Sequence, residues 1–306
     1  MAISTYNRSR SLADTLHSLI GQEVPPGQNF EIIVVDNNSS DDTRAVVEKI
    51  IKTNAAVPIR YVFEPKQGLS NARNRAIEEA SGDIIVFTDD DVVAEPKWLL
   101  GISEAFADPR VECVGGKILP LWSVPLPDCF RDPAILKRVL MALSMLDYGP
   151  ELVVATKKNG CLPYGANIAF RKSTLARVGL FRTELGVKGK KRYFGEETEL
   201  VLRIIELGGT VVYTPRAVVY HKVESERVSM RFLRQRTYQG GYSIPMMFPS
   251  AHKRVPVWLV AECLKNGIGA VVFYLVGHRV RAIQSEFQFW GQLGLISGTV
   301  QVRCQA

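Results

Sequence analysis

Apolar residues in the first ninety positions follow two different spacings. Short runs rich in β-branched residues predict buried strands at 32–35, 59–63 and 84–87. Between these runs, apolar residues recur every three or four positions, as at Leu12, Leu16 and Leu19, which places them on one face of a helix. Ser70 is the expected N-cap of the third helix. Strands and helices that alternate at these lengths predict βαβ crossovers, and hence a mainly parallel sheet flanked by helices.

The first strand and the second half of the chain are less regular. Only residues 1–4 precede the loop Thr5-Tyr6-Asn7, whereas strands usually have about five residues, so either the strand is stunted or the chain start is placed too late. Prolines between 120 and 150 indicate loops, with a helix near 133–146. A further block predicts a strand at 166–170, helices at 173–178 and from Glu196, and strands at 211–213 and 217–221 separated by a turn.

Three consecutive aspartates, Asp89, Asp90 and Asp91, follow the strand at 84–87. Turn formation and helix capping explain one or two such acids, but three less well. Ligands of open parallel sheets bind beyond the carboxyl ends of the strands, and carboxylates are the ligands that Mg²⁺ and Mn²⁺ prefer. These acids therefore predict a cation site, where a metal would neutralise charge on a departing diphosphate.

Two other sites offer chemistry but leave alternatives open. Glu196 and Glu197 stand at the start of a predicted helix, where acids favour the helix dipole, although a carboxylate there could also act as a general base. His221 ends an apolar strand and is either a structural histidine or a neutral imidazole ligand for a metal. The residues alone do not decide between these roles.

The net charge and the cysteine content limit the classes of partner and the compartment that we expect. Among 306 residues, 38 Lys and Arg against 31 Asp and Glu give a net charge of +7, which favours nucleotide diphosphates, acidic lipids or nucleic acid. The five scattered cysteines form no Cys-x-x-Cys pair, so we expect neither a zinc site nor a disulfide framework, and a reducing compartment. The N-terminus has no apolar core of signal-peptide length, so we do not expect secretion.

Seven segments together resemble glycosyltransferase family 2, the inverting enzymes of GT-A fold. They are STYNR at 4–8, LADTLHSLIGQ at 12–22, VVDNNSSDDT at 34–43, EPKQGLSNARNRAIEEASGDIIVFTDDD at 64–91, GANIAFRKSTLARVGLF at 165–181, FGEETELVLRI at 194–204 and VVYH at 218–221. The resemblance implies an α/β GT-A fold, with a Rossmann-like, mainly parallel central sheet flanked by helices and a helical, partly amphipathic C-terminal region. It also implies metal-dependent transfer of a sugar from a nucleotide diphosphate, commonly a UDP or dTDP carrier, to an acceptor hydroxyl.

Individual roles follow from the same resemblance. The residues that it places at the nucleotide are Ser4, Tyr6, Asp36 and Arg73, with Asp89 and Asp90 as candidates for the ribose. Asp89 and Asp91 form the family's Asp-x-Asp motif, and Asp91, Asp89 and His221 are the implied ligands of Mn²⁺ or Mg²⁺. Glu197 occupies the position of the catalytic base. Because the family usually has aspartate there, the choice between Glu197 and Glu196 stays open.

Two other functions fit the sequence less well. A sugar-phosphate nucleotidyltransferase would normally have a glycine-rich basic loop after the first strand, but the loop at residues 5–9 has no glycine. A non-catalytic module that binds sugars or nucleic acid would gain nothing from three aspartates, which repel phosphate unless a cation intervenes. We therefore expect an enzyme that does not bind nucleic acid.

The expected domains are a catalytic domain at 1–225, with a nucleotide-binding half at 1–110 and an acceptor-binding half at 111–225, and a helical extension at 226–306. In the extension, the uncharged stretch 266–277 is shorter than the ~20 residues of a membrane span. An interfacial helix on acidic lipids fits better, with a packed helix pair or a dimer contact as the alternative. We expect a cytoplasmic enzyme, peripheral on the inner face of the cell membrane, that adds single sugars to a saccharide acceptor, specifically a lipid-linked one in surface polysaccharide synthesis.

Overall fold

Strands and helices alternate through the first half of the chain, and helices dominate its end. The computed structural model describes residues 1–189 and 191–305. The strands are β1 (Ala2–Thr5), β2 (Ile32–Asp36), β3 (Ile59–Phe63), β4 (Ile84–Asp89), β5 (Val92–Ala94), β6 (Val111–Trp122), β7 (Val153–Val154), β8 (Asn167–Arg171), β9 (Val187–Lys188), β10 (Lys191–Arg192) and β11 (Thr210–Val223). The α-helices are α1 (Ser9–Ile20), α2 (Thr43–Thr53), α3 (Leu69–Glu79), α4 (Trp98–Ala105), α5 (Asp128–Arg131), α6 (Pro133–Ala142), α7 (Lys172–Val178), α8 (Glu196–Glu206), α9 (Met230–Met247), α10 (Val257–Leu275) and α11 (Arg279–Gln305). Short 3₁₀ helices occupy Ser225–Val228 and Pro249–Ala251.

The described residues form two compact units. The first, here called the sheet unit, comprises Met1–Leu121, Leu146–Gly189 and Glu196–Lys222. The second, the helical unit, comprises the other described residues, 122–145, 191–195 and 223–305. The expected domain boundaries at 110 and 225 stay a prediction.

Nine of the described strands form one mixed sheet, in which the order is β3-β2-β1-β4-β8-β6-β11-β5 and β7 pairs with β11. The four strands β3, β2, β1 and β4 run parallel, as the alternating strand and helix pattern predicted. Beyond β4 the sheet becomes antiparallel, since β8 pairs antiparallel with both β4 and β6. The carboxyl ends of β1 and β4 are therefore neighbours, which places Thr5 beside the aspartate loop.

Burial explains why these segments adopt these elements. All five residues of β2 are buried, as expected for a strand covered on both faces. The stripe Leu12, Leu16 and Leu19 of α1 is fully buried. Phe87 of β4 packs edge-to-face against Phe170 of β8 and against Phe181, which adds an aromatic cluster to the core.

Two local predictions were wrong. Ser70 is not an N-cap: α3 begins at Leu69 with Gly68 in the cap position, and the Ser70 hydroxyl donates to the Leu185 carbonyl at 2.9 Å. Gly68 adopts φ 137°, which glycine tolerates, and its N–H donates to Asn37 Oδ1 at 2.7 Å, so the turn is fixed from a distant part of the chain. The strands expected at 211–213 and 217–221 are one continuous strand, β11, because its pairing with β7 and β5 overrides the local signal of Pro215.

In the helical unit, a glycine lets the backbones of α9 and α11 come close together. A Cβ added to Gly294 of α11 would overlap the Tyr238 carbonyl oxygen of α9, so the two backbones approach closely at this point. Of the described residues, one helix, α10, has the length and apolar composition of a membrane span. Most of the uncharged stretch 266–277 lies in this helix, which reaches nineteen residues because it also includes Glu262 and Lys265. The interfacial location expected for this region stays a prediction.

Candidate active site

The aspartate loop lies where β4 ends and β5 begins. Asp89 is the last residue of β4, and the short strand β5 then pairs antiparallel with β11, with His221 opposite Val92. The backbone N–H of Lys222 donates to the Asp91 carbonyl at 2.9 Å. This pairing brings residues separated by 130 positions in the sequence to the same point, so the distance between Asp91 and His221 is set by backbone hydrogen bonds.

Asp89, Asp91 and His221 could together hold a metal ion. One ligand atom from each lies within 4.8 Å of the others, and His221 Nε2 is 3.0 Å from Asp91 Oδ1. Asp91 and His221 are buried, whereas Asp89 is partly exposed. Two carboxylates and an imidazole suit Mn²⁺ and also admit Mg²⁺, so the chemistry of the donor set fits the cation that the sequence predicts.

Basic and hydroxyl groups surround the aspartates. Arg8 Nη1 is 3.6 Å from Asp91 Oδ2, and 43% of the arginine side chain remains exposed. The Thr5 hydroxyl donates to Asp90 Oδ2 at 2.7 Å. Partial burial raises the pKa of Asp90 to about 7, and the adjacent charge of Asp91 adds to the rise. The loop therefore concentrates negative charge that a cation would offset.

The buried Arg73 side chain contacts acids from two parts of the predicted site, the aspartate loop and the start of α8. Its guanidinium is buried, with Nη1 2.9 Å from Glu196 Oε1 and 4.0 Å from Glu197 Oε2, and Nη2 3.5 Å from Asp89 Oδ1. Its Cζ atom also lies over the rings of Phe87 and Phe181, 6.0 and 5.5 Å from the ring centroids. One buried cation thus faces three carboxylates, two of them from the start of α8 and one from the end of β4.

The two glutamates of α8 have different surroundings. The Glu196 side chain is 5% exposed and bound to Arg73, whereas the Glu197 side chain is 16% exposed and farther from the guanidinium. Burial raises the pKa of Glu196, the charge of Glu197 raises it further, and Arg73 opposes the rise. Glu196 is therefore the acid fixed in the interior, and Glu197 is the one with access to a ligand.

The residues predicted at the nucleotide lie along β1, β2 and the loop after β1. Asp36 is buried at the end of β2, where its carboxylate accepts from the Tyr61 hydroxyl at 2.7 Å and from the Ser39 N–H at 2.9 Å. Tyr6 is 45% exposed at the loop. Ser4 pairs in register with Asp89 across β1 and β4. Arg73, in contrast, is buried beneath the acids.

Three contributors to the site were not assigned from the sequence: Thr5, Arg8 and Gly165. A side chain at Gly165 would overlap the Arg73 guanidinium, so only glycine leaves room for it. Arg8 lies inside the STYNR segment, which was the available signal. Gly165 opens the segment at 165–181, but its role was not predictable, because the Arg73 guanidinium that requires a glycine there is 92 positions away.

Comparison with known proteins identifies the family of the chain. A family model described as "Glycosyl transferase family group 2" matches residues 84–298, and one described as "Glycosyl transferase family 2" matches residues 1–120. The chain belongs to glycosyltransferase family 2. It is a glycosyltransferase, and the α/β GT-A fold expected from the sequence is confirmed.

Among the relatives that extend over most of the chain, two also match along most of their own length. The "Glucosyl-dolichyl phosphate glucuronosyltransferase" of Haloferax volcanii is 26% identical over 264 residues, 82% of this chain and 78% of that protein. The "Succinoglycan biosynthesis protein ExoM" of Rhizobium meliloti is 27% identical over 263 residues, 85% of this chain and 79% of that protein. Among solved structures, the mannosyltransferase PcManGT from Pyrobaculum calidifontis, in complex with GDP-Man and Mn²⁺, matches with a TM-score of 0.59 and 20% identity. The match covers 100% of this chain and 74% of that chain.

Proposed function

We propose that this glycosyltransferase transfers a sugar from a nucleotide diphosphate to an acceptor hydroxyl with inversion at the anomeric carbon, and that it requires a divalent cation. The grouping of Asp89, Asp91 and His221 is the observation on which the proposal rests. These three side chains would hold Mn²⁺ or Mg²⁺. When bound, the cation would supply charge neutralisation to the departing diphosphate.

Glu197 is the proposed general base. Its carboxylate is the less buried of the pair and lacks the 2.9 Å contact with Arg73 that fixes Glu196. A base needs to reach an acceptor hydroxyl, so the partly exposed carboxylate suits the role better than the buried one. Glu196 and Arg73 would then hold the start of α8, and with it Glu197, in place.

The reaction is a single in-line displacement. The acceptor oxygen forms a bond to the anomeric carbon as the bond between that carbon and the diphosphate oxygen breaks. The acceptor proton passes to Glu197, and the nucleoside diphosphate leaves with the bonding electron pair. Since attack and departure occur on opposite faces, the product has inverted configuration. Arg8, half-exposed beside Asp91, can meet the phosphates of the leaving group.

The finer substrate assignments draw on the relatives. One relative is named for a dolichyl phosphate substrate and another for succinoglycan biosynthesis, which supports a lipid-linked saccharide acceptor in surface polysaccharide synthesis. The proposed donor is a nucleotide-diphosphate sugar, with UDP or dTDP as the carrier. GDP-mannose is a further candidate, because it is the donor bound in the solved mannosyltransferase. A lipid-linked acceptor fits a location at the cytoplasmic face of the cell membrane.

A donor screen tests the chemistry. The purified protein is incubated with UDP-, dTDP- and GDP-sugars and Mn²⁺ or Mg²⁺, and release of the nucleoside diphosphate is measured. With the active donor and an acceptor, NMR of the product should show inverted anomeric configuration. Glu197→Gln should lower turnover about 10²- to 10⁴-fold, the usual contribution of a general base.

Glu196→Gln is the matched control, because it is the same substitution one residue away. We expect it to keep measurable turnover and to lower stability instead. Retained configuration in the product would overturn the inverting mechanism. Near-normal turnover of Glu197→Gln together with an inactive Glu196→Gln would show that the base is Glu196.

A further inference from the structure

Helix α10 turns its most apolar face to solvent. The outward-facing residues recur every three or four positions from one end of the helix to the other: Val257, Val260, Ala261, Leu264, Ile268, Val271, Val272 and Leu275. We call this set the outward stripe. Leu264 is 61% exposed, Ile268 65% and Leu275 81%. The opposite face, with Leu259, Cys263 and Ala270, is buried within the helical unit.

The outward stripe has no charge along its length. At 100° per residue, Glu262 and Lys265 lie to one side of the stripe, and they pair with each other at 3.1 Å. Nineteen residues at 1.5 Å per residue make an apolar strip about 28 Å long. A surface helix of a soluble protein has the reverse arrangement, with its polar face outward, so this stripe requires a cover.

Both ends of α10 are basic. Lys253 and Arg254 precede the helix, Arg279 and Arg281 follow it, and all four are exposed. Between positions 252 and 281, Glu262 is the sole acid. An uncharged strip with cations at its two ends is complementary to a bilayer that has anionic headgroups over an apolar interior. A second copy of the chain would present the same cations at its own ends, and the like charges would oppose pairing in either direction.

The basic residues at both ends of α10 also indicate how the helix would be oriented in a membrane. Basic residues remain on the cytoplasmic side of membrane helices, so a spanning α10 would have to move one basic end to the far side. The buried face of α10 packs on α11, whose Glu286 pairs bidentately with Arg234 of α9, and a span would draw such polar groups toward hydrocarbon. Trp258 near one end and Tyr274 near the other are both exposed, as is typical of residues at the headgroup level.

We propose that α10 lies in the plane of an anionic membrane, with the outward stripe at the boundary of the acyl chains and both ends in one headgroup layer. The inference rests on the membrane location in the proposed function and specifies the element, the lipid charge and the orientation. It is independent of the catalytic chemistry, because release of nucleotide from the donor in Mn²⁺ needs no membrane.

Vesicle flotation tests the surface. The full chain should float with vesicles of phosphatidylglycerol and phosphatidylcholine, and Leu264→Glu/Ile268→Glu should lower the bound fraction at least about tenfold. Leu207→Glu is the control, since Leu207 is 57% exposed in the sheet unit and should float like the wild type. Arg279→Gln and Arg281→Gln should each weaken binding about fivefold on anionic vesicles alone.

Accessibility of the two ends tests the orientation. In a background with Cys129, Cys161 and Cys304 replaced by serine, Lys253→Cys and His278→Cys are added singly, and the protein is bound to the outside of sealed vesicles. An impermeant maleimide should modify both positions. Protection of one position until detergent is added would show a span and overturn the in-plane orientation.

Absence of flotation by the wild type would overturn the proposal altogether. If sedimentation then showed a dimer that Leu264→Glu/Ile268→Glu dissociates, the stripe would be an interface between copies. Donor turnover in Mn²⁺ is measured in the same samples. Normal turnover without flotation rejects the membrane inference alone, whereas flotation without turnover on any donor rejects the proposed function alone.

Discussion

The two units of this glycosyltransferase depart from ordinary globular packing in opposite ways. The sheet unit buries charge: Arg73, Glu196 and Asp91 are all below 6% exposed. The helical unit exposes apolar surface along α10. Buried charges cost free energy of desolvation, and exposed apolar side chains give up the free energy of burial.

Under the proposed function, the difference corresponds to the two kinds of partner that the units would bind. In the sheet unit, the buried charges converge on the loop end of β4, where the proposed ligands are a cation and a diphosphate. In the helical unit, the exposed residues extend along a whole helix, which suits an extended apolar surface. Departures from local packing rules are expected at functional sites, and here the kind of departure indicates the kind of ligand.

The largest effect is expected from the charge of Asp91. Asp91→Asn keeps the shape of the side chain but removes a metal ligand and the charge beside His221, so turnover should fall at least about 10³-fold. Steady-state kinetics over a range of Mn²⁺ concentrations measure the loss. Asp83→Asn, at an exposed position of the same unit, should keep its activity. Equal turnover in Asp91→Asn and wild type would contradict the view that the buried charges of the sheet unit bind a catalytic cation.

The next effect concerns Arg73. Arg73→Met leaves Glu196 buried without its partner, which should lower the free energy of unfolding by about 3–5 kcal/mol, as measured by denaturant titration. In the fraction that folds, kcat should fall while KM for the donor changes little, because the guanidinium is buried beneath the acids. Arg73→Lys should restore part of the stability. A rise in donor KM with kcat unchanged would instead identify Arg73 as a direct nucleotide contact.

The smallest effect belongs to the helical unit. In Gly294→Ala the new Cβ would overlap the Tyr238 carbonyl, so α9 and α11 must separate and stability should fall by about 1–3 kcal/mol. Gly240→Ala, where the added Cβ has open space, should be neutral or stabilising by about 0.5–1 kcal/mol. Thermal unfolding followed by circular dichroism compares the two. A matching loss of Mn²⁺ affinity in Gly294→Ala would contradict the expectation that this substitution affects packing within the helical unit alone.

Much of the sheet unit was predictable because its signals are local. β2, β3 and β4 each begin at the residue that the apolar runs indicate, and α8 begins at Glu196 as expected. The spacing of Asp89 and Asp91 was enough to predict that they belong to one site, and the structure brings His221 to the same point.

The remainder depends on contacts between distant residues. Serine is a residue type favoured at N-caps, which is why Ser70 was expected there. In the structure, Asn37 accepts a hydrogen bond from the Gly68 N–H, and the helix begins one residue earlier, at Leu69. Arg73 gave no sign of burial, because the glutamate that binds it is 123 positions away. The uncharged stretch 266–277 indicated only part of α10, because the helix also includes Glu262 and Lys265, which pair with each other at one side of the outward stripe.

Binding of Mn²⁺ by wild type and Asp91→Asn, followed by electron paramagnetic resonance with nucleoside diphosphate present, addresses the proposed metal site directly. Saturable binding in the wild type that disappears in Asp91→Asn, with turnover lost in chelator and restored by Mn²⁺, is the expected result. Equal binding by the two proteins, or turnover unchanged in chelator, would contradict a catalytic cation at Asp89, Asp91 and His221.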